Sequence, residues 1–100
     1  LLVVRVHAYR PFPAEQLSAV LAQASRVAVV DRAPAFGSLG PLGADVRALD
    51  LRHVETVENV VCGLGGTDVT PDTLRWILSE TRSGEAQHKR FGAVYVPAGV

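Results

Sequence analysis

The residue types that could do chemistry in this chain fall in a few places, the first being the turn Gly63-Leu64-Gly65-Gly66. Small residues expose backbone N–H groups, and such a turn ahead of a helix can hold an anion. Its spacing fits neither the G-x-G-x-x-G dinucleotide fingerprint nor the G-x-x-x-x-G-K-[ST] phosphate loop. The competing reading is conformational: Gly63, Gly65 and Gly66 supply positive φ for a sharp exit from a strand. Asp31-Arg32 closes an apolar run. Such a pair can orient a ligand, or the carboxylate can cap a nearby loop or pair with an arginine. Arg10, after the first apolar stretch, carries the same two readings. In open α/β sheets ligands bind beyond the carboxyl ends of the strands, so Arg10, Asp31, Arg32 and the glycine turn are expected to share one edge, as a ligand site or as an interface.

The remaining candidates point away from catalysis. Cys62 closes an apolar strand with no helix start beside it to stabilise a thiolate, which describes a buried, inert thiol. His7, His53 and His88 are scattered without metal-ligand spacing. Trp76 lies off the main apolar stripe of its helix and reads as either a core edge or a docking anchor, the latter favoured because an indole on a partly exposed face is costly without cover. No Ser-His-Asp set, Cys-His pair, carboxylate pair or metal cluster can be assembled, so no catalytic residue is assigned.

The elements that must position these residues follow from periodicity. Residues 1–9 are apolar and β-branched, as in a strand covered on both faces. Pro13 can serve as a first helical residue, and over 14–24 Leu17, Val20, Leu21 and Ala24 make one apolar stripe. Val27-Ala28-Val29-Val30 is a second strand, and Pro41 opens a second helix reaching about Asp50. Val57, Val60 and Val61 mark a third strand. Thr70 is the expected cap of a helix starting at Pro71, running to about Arg82, with Leu74, Ile77, Leu78 and Thr81 as its stripe. Residues 91–96 read as a short fourth strand. Alternating strands and helices predict a three-layer αβα domain with a mostly parallel sheet.

Composition sets the outer limits. The chain has 100 residues, 48% of them apolar, enough for one domain over 1–100. Ten basic and ten acidic side chains cancel, which argues against nucleic acid and against an anionic membrane surface as partners. No apolar run approaches the ~20 residues of a membrane span. A single cysteine excludes an internal disulfide and fits a cytoplasmic location. There is no Met, and the chain opens inside Leu1-Leu2-Val3-Val4, which points to a piece of a longer polypeptide.

Three blocks in order carry a family resemblance. They are Val4-Arg5-Val6-His7-Ala8-Tyr9-Arg10-Pro11-Phe12-Pro13; Val27-Ala28-Val29-Val30-Asp31-Arg32 with Phe36-Gly37-Ser38-Leu39-Gly40-Pro41-Leu42; and Gly63-Leu64-Gly65-Gly66-Thr67-Asp68-Val69-Thr70-Pro71. From Val4 to about Arg82 the chain resembles the second, transketolase C-terminal-like domain of the α-chain of pyruvate and 2-oxoacid:ferredoxin oxidoreductases. Where that family has Arg after the double glycine, this chain has Thr67.

The resemblance implies an enzyme that oxidatively decarboxylates a 2-oxoacid to an acyl-CoA and reduces ferredoxin, using thiamine diphosphate, Mg, iron-sulfur clusters and CoA. Their binding motifs belong to other domains or subunits, and none is matched here. The segment is therefore expected to bind no cofactor and to help build an oligomeric assembly with those other domains and subunits. The family sheet has five strands, so the resemblance also implies a domain incomplete on its N-terminal side, with two hydrogen-bonding edges open. Two other readings stand beside it: an independent anion- or ligand-binding domain using the Gly63–Gly66 turn and Arg32, and a docking module of some other assembly.

Overall fold

Val27-Ala28-Val29-Val30 and the valine-rich run ending at Val61 lie side by side in a computed structural model of the chain, which describes residues 1–7, 9–32, 40–63, 68–83 and 94–95. Strand β1 (Arg26–Asp31) pairs with β2 (Thr56–Val61) in parallel, from Arg26 opposite Thr56 to Asp31 opposite Val61. A short β3 (Val94–Tyr95) pairs in parallel with Val60 and Val61, giving the order β1-β2-β3. Helices α1 (Ala14–Leu21), α2 (Pro41–Arg47) and α3 (Pro71–Ser83) alternate with the strands.

Alternation along the strands builds two cores. Val27 and Val29 point to the face covered by Val46 of α2 and by Phe12, Leu21 and Ala24 around α1. Ala28, Val60 and Cys62 point to the opposite face, where Ile77 and Trp76 of α3 cover them. Central β2 is consequently buried on both faces from Glu58 to Val61. Helices on both sides of a parallel sheet are the three-layer architecture the sequence predicts.

Local chemistry explains the helix starts. Pro41 and Pro71 are first residues, where a missing N–H costs nothing. Helix α1 starts at Ala14, with Pro13 as its cap and not its first helical residue, and Ala14 N–H bonds the Phe12 carbonyl at 2.8 Å. Thr70 Oγ1 accepts the Thr73 N–H at 3.2 Å while Thr73 Oγ1 accepts the Thr70 N–H at 3.1 Å, a reciprocal cap of α3. Both shorter helices end before the sequence estimate. Ala24 N–H bonds Leu21 and Leu49 N–H bonds Val46, i to i−3 contacts that tighten the final turn.

Two expectations are corrected. Residues 1–7 and Tyr9 form no strand, and Leu1 is 93% exposed. An apolar β-branched run becomes a strand only against a ladder partner, and no described strand lies beside it. On α3 the buried face is turned: Thr73 and Ile77 are buried, Trp76 is partly covered, and Leu74 is exposed. Trp76 therefore packs on the Val60–Cys62–Ile77 core, the core-edge one of its two readings and not the favoured anchor. Of the strand expected over 91–96 only Val94–Tyr95 falls within the described residues. No helix among the described residues is long and apolar enough to cross a membrane.

Candidate functional site

The carboxyl end of β1 is organised by a buried polar knot. Asp31 Oδ1 accepts the Leu42 N–H at 3.0 Å, and Oδ2 accepts both the Gly43 N–H and Asn59 Nδ2 at 2.8 Å. Asn59, with 0% exposure, also donates from Nδ2 to the Val29 carbonyl at 3.0 Å and accepts the Gly40 N–H at 2.6 Å. The carboxylate thus satisfies orphan amides at the start of α2 and complements its positive end. These three bonds to internal donors, from a buried side chain, are the geometry of the capping reading of Asp31. The two glycines are steric necessities. A Cβ on Gly40 would overlap the Asp31 side chain, and one on Gly43 would lie closer than 3.0 Å to Cγ, Nδ2 and Oδ1 of Asn59.

Asn59 is the residue that sequence reasoning missed. Its signal was a lone amide inside Val57-Glu58-Asn59-Val60-Val61. A buried amide in a central strand must find partners, and the nearest unpaired groups are those of the next helix start.

Arg32 and Gly63 meet just beyond the knot. The Cys62 N–H bonds the Asp31 carbonyl at 3.0 Å, carrying the parallel register past the strands. Gly63 has φ +72°, the left-handed region open to glycine, which fits the strand-exit reading of the turn. A Cβ at Gly63 would stand 2.9 Å from Arg32 Nε and 3.1 Å from Val69 Cγ2, so its hydrogen-only Cα leaves space for the guanidinium. Gly65 and Gly66 lie outside the described residues. Burial pushes the Cys62 thiol above its ordinary pKa, with Arg32 pulling the other way, as expected for an inert cysteine.

Arg10 makes its described contacts with Tyr9 and α2. It stacks on Tyr9, with Cζ 4.2 Å from the ring centroid, and reaches Asp45 of α2 at 3.4 Å. Tyr9 donates its hydroxyl to the same Asp45, and this bond pushes the tyrosine pKa up. The ring also meets Phe12 edge-on at 5.9 Å. Arg10 and Asp31 thus both engage α2, Arg10 through Asp45 and Asp31 through the Leu42 and Gly43 amides.

A second polar pair lies lower on β2. Glu58 is buried, its Oε2 has no hydrogen-bond partner, and burial raises its pKa against the opposing Arg47 charge. Arg47 donates to the Val57 carbonyl at 3.0 Å. An open hollow of 430 Å³ nearby is lined by Arg47, Leu49, Asp50, Leu51, Arg52 and Val57. Arg52 and Asp50 already pair there at 2.7 Å, and none of the predicted site residues lines it.

His7 and His53 are exposed, and His88 lies outside the described residues. No group of three His, Cys, Asp or Glu that could hold a metal ion occurs among the described residues. One cysteine cannot supply the four thiolates an iron-sulfur cluster usually takes, so the donor set of this chain does not fit such a cluster.

The described residues define a parallel α/β domain whose strongest polar cluster is spent on holding two strands and a helix together. Comparison with known proteins agrees with the sequence motifs: residues 3–74 match the family model for pyruvate:ferredoxin oxidoreductase core domain II, and the chain belongs to that family. It is 44% identical over 85 residues to the pyruvate synthase subunit PorA of Methanothermobacter thermautotrophicus, covering 85% of this chain and 21% of that protein. The PorA subunits of Methanocaldococcus jannaschii and Thermotoga maritima are each 32% identical, covering 83% and 88% of this chain and 21% and 24% of theirs. The chain thus spans between a fifth and a quarter of the length of these curated relatives. No solved structure matches.

Proposed function

We propose that residues 1–100 serve as a non-catalytic assembly domain in the α-chain of a thiamine-diphosphate-dependent 2-oxoacid:ferredoxin oxidoreductase. The whole complex would oxidise a 2-oxoacid, pyruvate by analogy with the relatives, to an acyl-CoA and pass the electrons to ferredoxin. Thiamine diphosphate, Mg, the iron-sulfur clusters and CoA would be held by other domains or subunits, in a cytoplasmic oligomer.

The observation that carries this reading is the 44% identity to a pyruvate synthase subunit, joined to a polar cluster committed to structure. Exposed surface is consistent with assembly. The outer edge of β1 faces no described strand, and Leu1, Leu2 and Val3 are largely exposed.

The test compares the full-length chain, purified with its co-expressed partner subunits, against the 100-residue piece. Pyruvate- and CoA-dependent reduction of ferredoxin is expected from the complete assembly and absent from the piece. Acyl-CoA formation by the pure piece, or a complete assembly inert towards every 2-oxoacid, would overturn the proposal.

A further inference from the structure

We draw no further inference here: the strongest candidate, the outer edge of β1, which faces no described strand, together with the exposed apolar side chains of Leu1, Leu2 and Val3, carries nothing because nothing in the structure shows what covers it.

Discussion

Asn59 in β2 donates to the carboxylate of Asp31 at the end of β1 at 2.8 Å, and between them these two side chains also hold the backbone amides of Gly40, Leu42 and Gly43. Two strands and the entry to α2 are therefore fixed by one network with almost no water access. Networks of this kind are costly when any member is lost, because the remaining donors stay buried and unpaired.

Asp31→Ala should destabilise the domain by on the order of 3 kcal/mol, since it strands two amides and the Asn59 amide at once. Asp31→Asn keeps the shape and part of the acceptor capacity, and about half that loss is expected. Urea denaturation of both variants measures the difference; equal stability of Asp31→Ala and wild type would contradict the network.

Gly43→Ala tests the steric half of the same knot. By helix propensity alone, alanine within α2 would gain about 1 kcal/mol. The added Cβ would meet Asn59 at under 3.0 Å, and Asn59 is fully buried with no free direction to move. A net loss of about 2 kcal/mol or more is expected, the sign opposite to propensity. Thermal unfolding decides which effect wins.

Thr70→Ala and Thr73→Ala each remove one half of the α3 cap. Each should cost about 1 kcal/mol, with the double variant costing less than the sum because the two hydroxyls act reciprocally. A double-mutant cycle in guanidinium would read the coupling.

Glu58 predicts a pH dependence. Burial raises its folded pKa above the ordinary carboxylate range, so the folded state holds this proton more tightly than the unfolded chain. Its contribution to stability is therefore greatest below the unfolded chain's ordinary carboxylate pKa and declines as pH rises through the raised folded pKa. Glu58→Gln should remove the decline. Parallel slopes of stability against pH for both proteins would show that Glu58 titrates as it does in water.

Much of the fold was legible from sequence because its signals are local. The valine runs at 27–30 and 57–61, the stripe Leu17–Val20–Leu21, and Thr70 before Pro71 specify strands, a helix face and a cap through near-neighbour chemistry. The family was legible too, since Val4–Pro13, Asp31–Arg32 and Gly63–Pro71 occur in order. The inert character of Cys62 follows from an apolar run that the fold buries.

Tertiary structure decided what depends on distant partners. Residues 1–9 have strand-like composition, yet a ladder needs a second chain segment, and none described lies beside them. Periodicity placed Leu74 inward and Trp76 outward, while packing of α3 against β1 and β2 turned the helix so that Thr73 and Ile77 are buried. The contacts of Tyr9 and Arg10 with Asp45 of α2 join residues about 35 apart, which sequence spacing does not reveal. The knot itself needs Asp31, Gly40, Gly43 and Asn59 within hydrogen-bond reach, a condition set by parallel register and helix docking. Sequence spacing carries information about one element at a time; the partners of a buried polar group are chosen only when the elements meet.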